Sequence, residues 1–310
     1  MQDNRKTGIG GKVLLALTMI FFYLPILYII VFSFNGSRSL THLEGFSLRW
    51  YEKMFADSNM MEAVVYTSVI AVLATVISTI AGTLAAIGMS RSKKILRNLV
   101  DQVNNLPILN PEIVTAIGLL MFFSALGVKK GFVTLLLAHI MFCIPYVILS
   151  VMPKLRSLDP NLADAAMDLG ATPFQALTKV IVPQILPGII SGALVAFTMS
   201  FDDFIISYFV TGNGVQNISI LVYTMSKRVN PSINALSTLV IVLITAALTV
   251  VNVIPVIREK QGKSGAALGK RGIAVCMAVV VAITGVGIAM LRKGGGASPQ
   301  DAIAKYGSDT

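Results

Sequence analysis

The sequence contains few of the residues that bind metals or form crosslinks. Among its 310 residues there are only two cysteines and two histidines. Cys143 and Cys276 both lie within apolar runs, where a free thiol behaves as a small buried hydrophobe. They form no CxxC pair, and neither His42 nor His139 belongs to an HExxH motif. A disulfide framework and the common zinc sites are therefore excluded, and we predict no metal site.

Charged residues are also scarce. They make up 13% of the chain, whereas an ordinary soluble domain carries about 25%. The 25 Lys and Arg residues outnumber the 15 Asp and Glu residues, which gives a formal charge of +10. In a soluble protein this excess suggests nucleic-acid binding, but membrane proteins collect Lys and Arg in their cytoplasmic loops. We therefore predict an integral membrane protein with no nucleic-acid partner.

A nucleotide-binding motif is missing as well. Gly262, Lys263 and Ser264 resemble the end of a P-loop, but Ile257 stands where the motif needs its first glycine. We predict no catalytic residue and no cofactor on this chain, so any ATP-driven work must come from another chain. The chain is not expected to be an enzyme.

Seven apolar stretches are long enough to cross a bilayer, which needs about 20 helical residues. They are residues 13–34, 63–88, 108–126, 132–151, 185–210, 233–257 and 273–291. The first is too long for the apolar core of a signal peptide, and no small-residue cleavage site follows it. We interpret it as a retained span and predict an all-α membrane protein.

The basic residues predict the orientation of these spans. A cytoplasmic N-terminus places residues 1–12, 91–101, 153–183 and 258–272 inside. These four segments hold 15 of the 25 Lys and Arg residues. The bias agrees with the positive-inside rule and favours this orientation.

The C-terminal part differs in composition from the rest. We expect a basic cytoplasmic linker at 258–272, an additional transmembrane helix at 273–291 and a flexible extracytoplasmic tail at 292–310. The additional helix is either a simple lipid-facing anchor or a peripheral helix followed by a disordered end.

The segment 159–183 predicts two helices separated by a sharp turn. Asp159 precedes a proline, which together favour a helix start, and Gly170 suits the left-handed conformation that ends a helix. Thr172 precedes another proline and starts a second helix, which we expect to end at Pro183. Small residues on the first helix allow another protein to approach closely, so the segment is predicted to be a docking element.

The same segment resembles the EAA motif of type I ABC importer permeases. The matching residues are Asp164, Ala165, Ala166, Gly170, Val180, Val182 and Pro183. Asp164 stands where the family usually has glutamate. The resemblance implies that the segment forms coupling helices that bind a cytoplasmic ATPase subunit, through Asp164, Ala165, Ala166, Gly170 and Pro183.

Residues 13–257 are similar to the spermidine/putrescine branch of this family. The similarity is carried by residues 23–26, 34–35, 46–51, 111–114, 139–146, 200–204 and 209–212. It implies a MetI-like permease domain with a six-helix core, situated in the bacterial inner membrane. The implied partners are a second permease subunit, an ATPase dimer, an extracytoplasmic polyamine-binding protein or domain, and membrane lipid. An outward anchor followed by a glycine linker would suit fusion to such a binding domain.

Acidic residues within the spans predict a cationic solute. A charge in a span costs several kcal/mol unless it is paired or hydrated, and no Lys or Arg lies deep in the first six spans. We predict that Glu112, Ser200, Asp202 and Asp203 line the substrate pathway. Adjacent helical residues point about 100° apart, so Asp202 and Asp203 do not both face one pore. The other carboxylate caps a helix break or contacts a neighbouring subunit.

Prolines and glycines within the spans predict breaks and close packing. Pro107 and Pro111 flank the start of the third span, and Pro187, Gly188 and Gly192 open the fifth. Such positions are tolerated where backbone lines a cavity or where helices approach closely.

Aromatic residues near the second span have two interpretations. Trp50 and Tyr51 are candidate contacts for a binding protein, or members of an interfacial aromatic belt. His139 is expected to be a hydrogen-bonded residue of the helix bundle. Two other functions stay open: import of another organic cation, an amino acid or an oxyanion, and a membrane scaffold that transports nothing.

Overall fold

The computed structural model describes residues 9–212, 215–226, 230–242 and residue 245. Within these residues the regular structure is helical, apart from one isolated antiparallel bridge between Asn35 and Phe46. The chain divides into two compact units. One contains residues up to 58 together with 222–246, and the other contains 59–221. The all-α prediction is confirmed for the described part.

Two helices at the start of the chain belong to the first unit. Helix α1, Ile9–Ser33, begins about one turn before the predicted span, and α2 is Arg49–Ala56. The most apolar stretch of α1 has no buried residue. A helix that is apolar on all its exposed faces suits contact with lipid or another membrane helix.

The second unit is built on long apolar helices. Helix α3 is Ser58–Arg91, α4 is Lys94–Leu109, α5 is Glu112–Ala125 and α6 is Phe132–Arg156. Among the described residues, four helical runs are long and apolar enough to cross a membrane, or five if α4 and α5 count as one bent span. The predicted spans at 63–88 and 132–151 correspond to α3 and α6.

The predicted third span at 108–126 is not one straight helix. Helices α4 and α5 meet at an angle of 104°. Asn110, between them, is extended at φ −79° and ψ 142° because the residue before a proline is driven out of the helical region, and Pro111 follows it. Helix α4 was not predicted, since its polar residues interrupt the apolar run.

The predicted fifth span at 185–210 starts earlier and breaks before its end. Short helix α8, Pro173–Gln175, passes through a π-helical turn, Ala176–Ile181, into α9, Val182–Asp202. The second helix of the 159–183 segment therefore does not end at Pro183, and that prediction was wrong. The wide π turn directly before Pro183 absorbs the disruption that a proline ring causes in the preceding helical turn.

The turn that precedes α8 is close to the one predicted. Helix α7, Leu162–Asp168, begins two residues later than expected, and Oδ1 of Asp159 accepts a hydrogen bond from the Asn161 amide at 2.9 Å in the turn before it. Gly170 has φ +88°, the left-handed conformation that was predicted. Thr172 caps α8, and its hydroxyl accepts from the Gln175 amide at 3.3 Å.

Small residues bring α6 and α9 together. A Cβ atom on Gly188 would lie 2.9 Å from Cγ of Lys154, and one on Gly192 would lie 3.2 Å from Cα of Val147. The predicted close packing around these glycines is confirmed. After α9 come α10, Ile205–Val210, and α11, Ile218–Ser226.

The predicted sixth span is described only in part. Its first residues form α12, Ser232–Val242, in the first unit. The rest of the span at 233–257, apart from residue 245, lies outside the described residues. So do the predicted linker at 258–272, the helix at 273–291 and the tail at 292–310.

Candidate functional site

A helix break lies at the pair of adjacent aspartates. Helix α9 ends at Asp202, and α10 begins at Ile205. The Asp203 carboxylate accepts from the Ser207 amide at 2.7 Å and from the Ile206 amide at 3.3 Å. These are first-turn donors of α10, which a helix leaves without an intrahelical partner. Asp203 therefore caps the second helix, and a continuous span to Val210 is ruled out.

A buried hydrogen-bond network supports this cap. Oδ2 of Asp203 accepts from the Ser207 hydroxyl at 2.7 Å, which in turn accepts from Nε2 of His139 at 3.0 Å. Nδ1 of His139 lies 2.7 Å from the hydroxyl of Ser200. The Asp203 carboxylate can only accept, so the Ser207 hydroxyl donates to it and Nε2 of His139 donates to Ser207. When His139 is neutral, its Nδ1 therefore accepts from the Ser200 hydroxyl. The prediction of a hydrogen-bonded His139 is confirmed.

A cavity of about 440 Å³ opens beside the break. Its acidic lining residues are Glu112, Asp202 and Asp203, which the sequence had predicted as pathway residues. All the lining residues lie within the described part of the chain, and none of them is basic. The cavity therefore carries an excess of negative charge and favours a cationic occupant.

The two aspartates have different roles in this cavity. Asp202 is exposed, whereas the side chain of Asp203 is only 6% exposed and is occupied by the hydrogen bonds described above. Asp202 is thus the carboxylate that is available to a solute. Ser200 is buried against His139 and does not line the cavity, so it lies behind the wall rather than in it.

Glu112 reaches the cavity because of the bend between α4 and α5. It is the first residue of α5 and follows Pro111. A carboxylate in the first turn is favoured by the positive end of the helix dipole. Two helix breaks, before α5 and before α10, therefore meet at one cavity.

Sequence reasoning missed other groups around the cavity. Thr115 and Tyr146 add hydroxyl groups to the lining, and Phe142 and Phe204 add aromatic rings. Asn217, outside the lining, donates to the backbone carbonyl of Asp203 at 3.0 Å and steadies the break. The sequence offers little signal for these residues. Tyr146 and Phe204 lie in segments that resemble the polyamine branch, but residue type alone does not separate a lining residue from a packing residue.

The predicted coupling residues lie around α7 and the turn that follows it. Asp164 and Ala165 are exposed, Ala166 is half-buried, and Ala163 is buried and anchors the helix. Two large apolar side chains that were not predicted flank the turn. Leu169 is 90% exposed and Phe174 is 73% exposed.

This apolar exposure beside a small-residue helix is typical of a docking surface. Gly170 lies in the turn and Pro183 in the first turn of α9. Both residues are exposed, so they shape the backbone of the segment and also form part of its surface.

The aromatic pair in the first unit has a structural explanation. Trp50 is 2% exposed, and its indole nitrogen donates to the carbonyl of Asn35 at 2.6 Å. The hydroxyl of Tyr51 lies 2.8 Å from that of Ser33. Trp50 therefore offers almost no surface to a binding protein, and Tyr51, which is half-buried, keeps the prediction of such a contact open.

A protein-family model described as "Binding-protein-dependent transport system inner membrane component" matches residues 78–257. This region includes the cavity and the segment with the EAA motif. The chain belongs to this family. It is therefore a permease, a multi-pass inner-membrane component of an ABC importer, and a translocation subunit rather than an enzyme.

Curated relatives agree with this assignment. The permease is 37% identical over 224 residues to the spermidine/putrescine transport system permease protein PotC of Haemophilus influenzae, covering 72% of this chain and 87% of the relative. It is 39% identical over 237 residues to the putrescine transport system permease protein PotI of Escherichia coli, covering 74% and 84%.

Solved structures show the same fold. A bacterial ABC transporter involved in the import of the acidic polysaccharide alginate matches with a TM-score of 0.61 and 16% identity, covering 84% of this permease and 98% of that chain. At this identity the likeness concerns the fold alone. Importers of this class act with a binding protein and partner subunits, so the permease is one part of a larger assembly.

Proposed function

We propose that this permease forms half of a membrane pathway for polyamines such as spermidine and putrescine. The observation that carries the proposal is the cavity with Glu112 and Asp202 in its wall and no basic lining residue. Two relatives, 37% and 39% identical, are named for spermidine/putrescine and putrescine transport. The acidic cavity and those names favour the same kind of solute.

The chemistry of the wall fits an extended polycation. Polyamines carry ammonium groups separated by methylene chains. Carboxylates at Glu112 and Asp202 would pair with ammonium groups, and the rings of Phe142 and Phe204 would contact methylenes or attract a cation through their faces. A volume of about 440 Å³ falls in the usual range for small-molecule sites.

Coupling to ATP hydrolysis would occur through residues 159–183. In the proposed orientation the N-terminus is cytoplasmic, and the exposed surface around Asp164, Ala165 and Leu169 binds an ATPase dimer that carries ATP and Mg²⁺. This chain carries no cofactor of its own. A second permease would complete the pathway, and an extracytoplasmic binding protein would deliver the polyamine. ATPase closure would then move α7 and α8 and tilt α9, which ends at the cavity.

Competition for uptake tests the substrate. The assembled transporter is reconstituted in proteoliposomes with its binding protein, and uptake of labelled spermidine is measured against unlabelled spermidine, putrescine, a neutral amino acid and sulfate. We expect the two polyamines to compete and the other two solutes to have no effect. Competition by the amino acid would replace the polyamine assignment, and sulfate competition would contradict the acidic pathway. Purification without an ATPase, together with no uptake, would point to a scaffold.

A further inference from the structure

A second cavity lies among helix ends near the coupling segment. Its volume is about 340 Å³, and it is bounded by the last turns of α3 and α6, the first turns of α4, and residues 159–163. Leu177 and Ile181, from the π-helical turn before α9, close one side of the cavity. The cavity therefore touches the coupling segment and three membrane helices at once.

Three arginines line this cavity. Arg91 ends α3, Arg97 lies in the first turn of α4, and Arg156 ends α6, while Asp159 supplies one carboxylate. Arg156 forms an ion pair with Asp101, in which Nη2 lies 3.3 Å from Oδ2. Within the described part of the chain, neither Arg91 nor Arg97 has an ion-pair partner.

The placement of these charges favours an anion. Three guanidinium groups around one cavity repel each other, and the positive end of a helix dipole is an unfavourable position for Arg97. Arg156 is already paired with the Asp101 carboxylate, and Oδ1 of Asp159 accepts a hydrogen bond from the Asn161 amide. Guanidinium groups bind phosphate oxygens in a bidentate fork, so a phosphate group is the chemistry that matches.

The rest of the lining is apolar. Ile87, Met152 and Leu155 lie beside the arginines. Helix α4, which carries Arg97, also presents Ile95 at 79% exposure and Leu99 at 55%. A phosphate attached to hydrocarbon meets both requirements, because its charge is bound by arginine while its chains cover exposed apolar side chains.

We propose that this cavity binds the phosphate of an anionic membrane lipid and thereby links α7 to the ends of α3 and α4. In the proposed orientation the site is at the cytoplasmic surface, where anionic headgroups are available. The bound lipid would hold the coupling segment against the membrane helices while the ATPase moves it.

Lipid retention tests this site separately from transport. The assembled transporter is purified, exchanged into mixed phosphatidylglycerol and phosphatidylcholine, and analysed by native mass spectrometry for bound lipid. The double variant Arg91→Gln/Arg97→Gln is expected to lose retained phosphatidylglycerol to the phosphatidylcholine level. Lys93→Gln, which removes an exposed charge next to α4 but does not line the cavity, is expected to keep it. Equal retention in both variants would overturn the proposal.

Protection of the native chain from phenylglyoxal identifies the source of the phosphate and does not depend on a variant that folds. Modification of Arg91 and Arg97 is mapped in phosphatidylcholine nanodiscs with added phosphatidylglycerol, with inorganic phosphate, or with the ATPase present or removed. We expect protection by phosphatidylglycerol alone. Protection by inorganic phosphate to the same extent would assign the site to a free anion, and protection that requires the ATPase would make it a protein contact; either result overturns the lipid assignment.

Discussion

Nε2 of His139 lies 3.5 Å from Oδ2 of Asp203, and the hydroxyl of Ser207 is within hydrogen-bond distance of both atoms. The contact joins the N-terminal half of α6 to the helix break before α10. It explains why the two adjacent aspartates differ in availability. Asp203 is hydrogen-bonded within the helix bundle, whereas Asp202 is exposed in the cavity.

Substitution of asparagine for each aspartate should therefore have different effects on stability. Asp203→Asn removes charge from a buried acceptor of the Ser207 amide and hydroxyl, and we expect a loss of about 1.5–3 kcal/mol in stability. Asp202→Asn should leave stability unchanged, because that side chain is exposed. Thermal unfolding of both variants in detergent measures the difference. Equal melting temperatures for the two variants would contradict the assigned roles.

Removal of the His139 imidazole should destabilise the helix break between α9 and α10. His139→Ala leaves the buried hydroxyl of Ser200 without its histidine partner and Ser207 without a donor, at a cost of about 1–3 kcal/mol for each group. We expect a lower melting temperature and weaker uptake, with partial recovery in His139→Gln, whose amide replaces one hydrogen bond. If alanine and glutamine behave alike, the hydrogen bonds do not position the break.

The packing of α3 on α6 gives a test with a control on the same helix. A Cβ on Gly82 would lie 2.8 Å from Cβ of Val147, a buried residue, whereas one on Gly88 would meet no atom within 4 Å. Gly82→Ala should cost about 1–3 kcal/mol through overpacking. Gly88→Ala should be neutral or slightly stabilising, since alanine favours a helix. Thermal unfolding that ranks the two variants in the reverse order would contradict the packing.

The turn between α7 and α8 should be required for coupling. Gly170 has φ +88°, and valine there should cost about 1–2 kcal/mol locally and shift the exposed side chains of Leu169 and Phe174. We expect Gly170→Val to reduce both uptake and substrate-stimulated ATPase activity. Gly170→Asn is the control, because asparagine tolerates the left-handed region better than valine. Normal coupling in the valine variant would show that the turn is not needed.

Local signals explain how much of the fold could be predicted. The left-handed Gly170 and the cap at Thr172 depend on a few neighbouring residues, so the sequence was sufficient for both. The long apolar helices α3 and α6 were also found because their hydrophobic runs are continuous. Pro183 was misread because the π turn before it depends on the surrounding helix rather than on the proline alone.

The site could be predicted only in part. The cost of charge in a span pointed to Glu112 and Asp202, but these two residues are 90 positions apart in the chain, and their meeting depends on two helix breaks. Residue type does not tell which of Asp202 and Asp203 is available to a solute, because this depends on where α9 ends. Ser200 shares their motif, and only the position of His139 reveals that it is buried.

The central claim is that Asp202 contacts a cation in the pathway, and uptake kinetics test it most directly. The KM for spermidine is measured in proteoliposomes for the native transporter, for Asp202→Asn and Asp202→Glu, and for Glu62→Gln, an exposed carboxylate of α3 that does not line the cavity. Loss of a charge-assisted bond of about 1.5–3 kcal/mol should raise the KM by about tenfold or more in Asp202→Asn. Asp202→Glu should recover part of the affinity, and Glu62→Gln should match the native value. An unchanged KM in Asp202→Asn would contradict the account.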